Sequence, residues 1–109
     1  MKEVKGDIYE VYEVTYKGKC VYIGSGEGAV GNKPARHEHV KSGKSSNAKL
    51  NELFFKDAEN VKVIVLRDNL SKEDSLELER DFIMASEPKF NIQHNQKNHK
   101  VKKFRKYTI

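Results

Sequence analysis

Two short segments of β-forming residues, joined by a turn sequence, constrain the fold of this chain more than any other feature. The first segment contains Ile8, Val11 and Val14, and the second is Cys20-Val21-Tyr22-Ile23. Between them, Tyr16-Lys17-Gly18-Lys19 supplies the glycine that a tight turn needs, because glycine adopts positive φ without strain. The pattern predicts a β-hairpin over residues 8–24.

A glycine-rich segment follows the predicted hairpin, with four glycines among residues 24–31. Since glycine has no Cβ atom, such a segment is typical of a flexible loop or of backbone that approaches another group closely. It is not a Walker A loop, because no Gly-Lys-Ser/Thr closes it at the required spacing. We expect the second strand to end at Gly24. Whether the glycines form a flexible loop or allow a close backbone approach stays open.

The remainder of the body predicts three helices and one more strand. A short helix lies between Pro34 and Gly43, and an apolar stripe at i, i+3 and i+4 indicates a second helix over residues 46–56. A β-type run covers residues 61–66, and a Ser-Lys-Glu-Asp capping signature opens a helix over residues 71–86. The order β-β-α-α-β-α predicts a small α/β domain in which helices cover one sheet.

Length and composition limit the chain to one modest core. It has 109 residues, of which 37% are apolar, and no apolar run approaches the 18 or so residues of a membrane span. The first residues also lack the apolar run of a signal peptide. Cys20 is the single cysteine, which excludes a cysteine-based zinc site and favours a cytoplasmic protein without disulfides.

The positive charge is concentrated at the C-terminus. Residues 1–93 contain 15 of the 21 basic residues and all 16 acidic ones, so the net charge of +5 resides in residues 94–109. Phe104 and Tyr107 are interleaved with the basic residues, which favours binding to nucleic-acid phosphates by counterion release. The alternative is a solvated, frayed terminus. The six basic residues of this tail are Lys97, Lys100, Lys102, Lys103, Arg105 and Lys106.

Glu79 is the most informative single position. At 100° per residue it projects between Phe82 and Ile83, near the middle of the apolar arc of the last predicted helix. A carboxylate that faces a core is costly unless it is paired or binds a metal. Two explanations therefore stay open, an ion pair with Arg36 or a lysine (or a rotated helix), and a metal-binding carboxylate in a cleft.

Five further residues bear on a possible site. Arg36 lies on the first predicted helix, and its guanidinium suits a phosphate because it donates two parallel hydrogen bonds. His37 and His39 lack the i, i+4 spacing of a helical zinc site. Tyr12 and Tyr22 are expected to be neighbours across the hairpin, which by itself is usually a packing feature.

Taken together, these residues resemble the GIY-YIG endonuclease family over roughly residues 10–92. The paired family motifs are similar to Glu10-Val11-Tyr12, in which Glu10 stands in place of glycine, and Tyr22-Ile23-Gly24. Tyr9 is a competing match for the first tyrosine. Two later segments also resemble the family, Gly43-x3-Asn47-x2-Leu50 and Glu79-x2-Phe82-Ile83-x4-Pro88-x2-Asn91.

The resemblance implies a fold and a set of roles. The fold would be a three-stranded antiparallel sheet flanked by helices in residues 1–93, followed by the basic tail in residues 94–109. Tyr12 would help to deprotonate the attacking water, Tyr22 would contact phosphate or water, and Arg36 would stabilise phosphate charge. Glu79 would bind one Mg²⁺ ion. Because tyrosine with its ordinary pKa near 10 is a poor base at pH 7, we hypothesise that either a metal-bound water or His39 accepts its proton. Asn91 would support the site structurally, and substrate contacts would come from Gly24, Asn91, Lys102, Lys103 and Arg105.

The expected activity is therefore hydrolysis of DNA phosphodiester bonds with a single divalent metal ion. A homodimer or a targeting partner would supply any sequence specificity, because no base-reading module is recognisable in the chain. The second hypothesis is a nucleic-acid-binding module that has the same fold but no catalytic activity. No membrane partner is expected.

Overall fold

The predicted hairpin is present in the computed structural model, which describes residues 7–91. Strand β1 (Tyr9–Tyr16) pairs antiparallel with strand β2 (Lys19–Glu27). Lys17 and Gly18 form the turn with φ of 53° and 85°. Positive φ at both central residues is the geometry of a two-residue turn whose twist matches that of the flanking strands.

Strand β2 does not end at Gly24, as expected from the sequence, but continues to Glu27. Its pairing with β1 continues through Glu10 opposite Gly26 and Tyr9 opposite Glu27. The flexible-loop explanation of the glycines is therefore wrong for Gly24 and Gly26. Both lie in a regular strand, where a missing side chain leaves room for a neighbouring group.

The remaining elements follow the predicted order. They are α1 (Arg36–Lys41), α2 (Ala48–Asp57), β3 (Val61–Leu70) and α3 (Lys72–Ser86), with one 3-10 turn (Ala58–Asn60) before β3. Helix α2 begins two residues later than predicted because the Asn47 side chain caps it, accepting from the Leu50 N–H at 3.1 Å. Strand β3 extends past residue 66 because Leu70 pairs with Tyr9.

Helix α3 has the predicted capping signature at its start. The Ser71 hydroxyl accepts a hydrogen bond from the Asp74 N–H at 3.1 Å, and Glu73 and Asp74 place negative charge in the first turn. The helix ends where Glu87 adopts a left-handed φ of 47° and donates its N–H to the Ile83 carbonyl at 2.8 Å. Pro88 follows and cannot continue the helix.

The three strands form an antiparallel sheet in the order β2-β1-β3, so β1 is central. Because successive side chains of a strand point to opposite faces, Val11 and Val14 belong to different apolar clusters. Val14 packs with Leu50 of α2 and with Val40 of α1, whereas Val11 packs with Ile83 of α3. Helices therefore cover both faces of the sheet, which bears out the predicted α/β arrangement.

The single cysteine has no sign of reactivity. Burial, and then the negative charge of Glu13, raise the pKa of the Cys20 thiol to about 12, so the nucleophilic thiolate is scarce at neutral pH. Within residues 7–91, every helix is too short or too polar to cross a membrane.

Candidate active site

Tyr12 and Tyr22 are neighbours on the hairpin, with ring centroids 6.3 Å apart and ring planes tilted by 37°. Tyr12 lies on β1 opposite Gly24, and its side chain is only 2% exposed. Tyr9, the competing match to the first family motif, lies at the start of β1 opposite Glu27. The structure thus places Tyr12, and not Tyr9, beside Tyr22.

Gly24 provides the space in which the two tyrosines meet. A Cβ atom at Gly24 would contact the Tyr12 hydroxyl and would lie 2.5 Å from Tyr12 Cζ and 2.9 Å from Tyr22 Cε2. Real Cβ atoms do not approach other carbons so closely, so any side chain at residue 24 would displace the pair. Gly24 is therefore a packing requirement of the tyrosines, although it was predicted to contact substrate.

Both tyrosines are held in the protonated form. Burial, and then the neighbouring Tyr22, raise the pKa of the Tyr12 hydroxyl far above its ordinary value. Burial and the negative charge of Glu79 raise the pKa of Tyr22, while Arg36 and a hydrogen bond with Tyr12 act in the opposite direction. At neutral pH the pair consequently offers O–H groups, and a tyrosine here can accept a proton only if another group first removes its own.

Arg36 is the first residue of α1, and it packs against a second strand glycine. A Cβ atom at Gly26 would lie 2.7 Å from Arg36 Cγ and 2.8 Å from Arg36 Cβ. Since the Cβ atom of Arg36 is fixed by the helix backbone, a side chain at residue 26 would push α1 away from β2. Gly26 thereby allows the arginine side chain to lie on the strand as far as its guanidinium carbon, which is 3.1 Å from the same Cβ position, while the residue as a whole remains exposed.

Glu10, which stands where the family motif has glycine, fastens α1 to the sheet. Its carboxylate is 3% exposed and accepts hydrogen bonds from the His37 backbone N–H at 2.8 Å and from His37 Nδ1 at 2.8 Å. These contacts satisfy an N–H in the first turn of a helix whose N-cap residue, Ala35, makes no side-chain hydrogen bond. The sequence shows that Glu10 is an acidic residue within an apolar strand, but it does not show that His37 is its hydrogen-bond partner.

Glu79 faces inward from α3, as the sequence predicts, and is 8% exposed. The Ser25 hydroxyl donates a hydrogen bond to Glu79 Oε1 at 2.7 Å. Burial raises the pKa of the Glu79 carboxyl, and the hydrogen bond from Ser25 partly opposes that shift. Among residues 7–91 no arginine or lysine forms an ion pair with Glu79, so the explanation by an ion pair with Arg36 is not supported.

One cavity of about 430 Å³ brings together the five residues predicted to be catalytic. Tyr12, Tyr22, Arg36, His39 and Glu79 all line it, although they lie on two strands and two helices. Residues that the sequence analysis missed complete the wall. Those with polar side chains are Ser25, Glu27, Lys33, Lys44, Ser45 and Ser46.

Asn91, for which both a supporting role and a substrate contact were predicted, is a structural tie on β2. It is 4% exposed; its Oδ1 accepts from the Ile23 N–H at 2.8 Å, and its Nδ2 donates to the Ile23 carbonyl at 2.9 Å. Strand β2 is an edge strand, so these backbone groups need partners outside the sheet. The cavity lining does not include Asn91. The predicted tail contacts, Lys102, Lys103 and Arg105, lie outside the described residues.

The residues of the cavity suit a metal that needs few protein ligands. No group of three or more histidine, cysteine, aspartate or glutamate side chains is arranged for a metal within residues 7–91. Mg²⁺ commonly retains several waters and binds through one or two carboxylates together with substrate phosphate. A single, largely buried carboxylate at Glu79, oriented by Ser25, fits that mode of binding.

No family model, curated protein or solved structure matches this chain.

Proposed function

We propose that this chain is an Mg²⁺-dependent endonuclease of the GIY-YIG type that hydrolyses phosphodiester bonds of DNA. The main support is that Tyr12, Arg36 and Glu79 line one cavity although they are far apart in the sequence. Phosphodiester hydrolysis needs an oriented water and positive charge on the phosphate oxygens. These residue types supply both functions, and the family resemblance favours DNA as the substrate.

In this proposal each side chain has a role that follows from its position. The guanidinium of Arg36, a residue of the cavity lining, binds nonbridging phosphate oxygens through two parallel N–H donors. The protonated hydroxyls of Tyr12 and Tyr22 orient the attacking water by donating to it or to the phosphate. Glu79 would hold Mg²⁺, which when bound stabilises phosphate charge and lowers the pKa of a water. Ser25 fixes the rotamer of Glu79 through its 2.7 Å hydrogen bond.

The direct test is nicking of supercoiled plasmid by the purified protein in Mg²⁺ and in EDTA. Linear, branched and single-stranded DNA complete the substrate set. Cleavage that requires Mg²⁺ and copurifies with the protein supports an endonuclease.

A proton acceptor is needed because the raised pKa of Tyr12 makes its phenolate rare. His39 lines the same cavity, and histidine is the side chain that most often acts as a general base. We expect His39→Ala to lower kcat by about 10²-fold and to change the shape of the pH–rate profile. The control is His99→Ala in the tail. A His39→Ala profile that keeps the shape of the wild-type profile would exclude this role.

A catalytically inactive nucleic-acid-binding module is the second candidate. It is favoured by the strongly raised pKa of Tyr12, which opposes a direct role as base. DNA binding that persists in EDTA, with none of the four substrates cut in Mg²⁺, would support this candidate over an endonuclease.

The basic tail should contribute to DNA affinity through its charge. Truncation after Gln93 removes six basic residues and no acidic one, so we expect weaker duplex binding. The salt slope should fall by about 0.9 for each phosphate contact that is lost. Binding is measured by fluorescence anisotropy across a salt series. A Lys102→Arg/Lys103→Arg variant, which keeps the charge, is the control, and an unchanged slope after truncation would show that the tail makes no phosphate contact.

A further inference from the structure

A second cavity of about 380 Å³ adjoins the first along β2. The two cavities share four lining residues, which are Ser25, Glu27, Lys33 and Arg36. A volume of this size lies within the range of small-ligand pockets. The residues that line only the second cavity are Tyr9, Gly26, Lys72, Ser75 and Leu76.

Arg36 connects the two cavities because of its position over Gly26. The stem of Arg36 lies against β2 at Gly26, and the side chain lines both cavities. A phosphate bound by Arg36 beside Glu79 would therefore have its neighbouring nucleotide next to the second cavity.

The lining of the second cavity combines apolar surface with positive charge. Tyr9 is half-buried at the start of β1, and Leu76 is 50% exposed on the first turns of α3. Lys33, Arg36 and Lys72 bring three positive charges against a single acid, Glu27, whose carboxylate lies 3.6 Å from the Lys33 ammonium. An aromatic face beside ammonium groups is the combination with which proteins bind single-stranded nucleotides.

We propose that the second cavity binds an unpaired nucleotide adjacent to the scissile phosphate. The base lies against Tyr9 and Leu76, and the phosphate on its far side contacts Lys72. The base must be unpaired because a base stacked within a duplex cannot present its face to Tyr9. This subsite depends on the proposed nuclease function and adds a preference for single-stranded or branched DNA.

The test compares a short deoxythymidine oligonucleotide with an abasic phosphodeoxyribose strand of equal length, both bound in EDTA so that neither is cut. We expect the wild type to bind the thymidine strand about ten-fold more tightly than the abasic strand. Tyr9→Ala should lose that preference without weakening its binding to the abasic strand, and Tyr9→Phe should retain the preference because it retains the ring.

The contribution of Lys72 is tested separately through charge. Lys72→Ala should lower the salt slope for the thymidine strand by about 0.7, the value for one phosphate contact on a single strand. Lys62→Ala is the matched control, since Lys62 is exposed and pairs with Thr15 at the other end of β1 from Tyr9. Lys72 is exposed in the first turn of α3, so its truncation removes no core contact.

Three outcomes would overturn the subsite. The first is equal affinity of the wild type for thymidine and abasic strands, and the second is a salt slope for Lys72→Ala equal to that of Lys62→Ala. Either of these two results refutes the subsite. If plasmid nicking continues in that case, the proposed endonuclease function still stands. The third is a protein that binds neither strand and cuts no substrate, which would refute both.

Discussion

Glu79→Gln is expected to abolish Mg²⁺-dependent nicking of supercoiled DNA, with a loss of at least about 10²-fold in rate. The substitution keeps the size of the side chain and its contact with Ser25 but removes the charge that would hold the metal. Metal stabilisation of phosphate charge contributes several kcal/mol, and each 1.36 kcal/mol corresponds to about a factor of ten in rate. Initial nicking rates over a Mg²⁺ series measure the effect.

The same variant should be at least as stable as the wild type at neutral pH without metal. Burial raises the pKa of Glu79 above its ordinary value of 4.5, so the folded protein disfavours the charged carboxylate. Wild-type stability relative to Glu79→Gln should therefore fall as pH rises from that ordinary value through the raised one. Urea unfolding between pH 4 and 7 measures the difference. Added Mg²⁺ should raise the Tm of the wild type only.

Glu77→Gln is the matched control, because Glu77 lies on the same helix and is exposed. It should change neither the nicking rate nor the response of Tm to Mg²⁺. If Glu79→Gln cut DNA as fast as the wild type, the cleavage would come from a contaminant or from a mechanism that does not use Glu79.

Gly24→Ala is expected to lower the free energy of unfolding by about 1–3 kcal/mol and to impair nicking severely. The new methyl group would overlap the Tyr12 ring, and overpacking of a core costs about this much. Tyr12 packs with Val14 and Leu50 in the core, so its ring cannot move without disturbing them. Urea unfolding monitored by circular dichroism gives the free energy, and plasmid nicking gives the activity.

A double-mutant cycle with Tyr12→Ala separates overlap from a general cost of alanine in β2. In the Tyr12→Ala background the cost of Gly24→Ala should shrink, because the nearer of the two rings that the methyl group would meet is gone and only Tyr22 remains close. Gly43→Ala is the control: Gly43 has φ of 78°, and a Cβ atom there meets no atom within 4 Å. The loss of unfolding free energy caused by Gly43→Ala should add to the loss caused by Tyr12→Ala, without coupling between them. Equal costs of Gly24→Ala in both backgrounds would contradict the proposed packing.

Features governed by near neighbours in the chain were predictable from the sequence alone. The hairpin turn at Lys17-Gly18, the Ser71 cap and the inward direction of Glu79 each depend on residues within about four positions. Turn geometry, helix capping and helical periodicity operate over that range. The element order and the α/β class followed from them.

Only the tertiary structure decided how β2 and α1 build the cavity. The glycine segment is a strand because β1 pairs with it, and Gly24 and Gly26 are needed because Tyr12 and Arg36 approach them. Glu10 stands at the position where the GIY-YIG motif has glycine. In the structure it fastens α1 to the sheet by accepting a hydrogen bond from His37, which is 27 residues away.

Strand β2, part of the hairpin that most constrained the predicted fold, is thus a wall common to both cavities. Glu79 reaches Ser25 across 54 residues, and Asn91 reaches Ile23 across 68. Contacts at such separations leave no periodic or local signal in a single sequence, because many pairings satisfy the same pattern of polar and apolar residues. The sequence by itself determined the elements and the charged candidates; packing between distant elements determined which of them share a cavity.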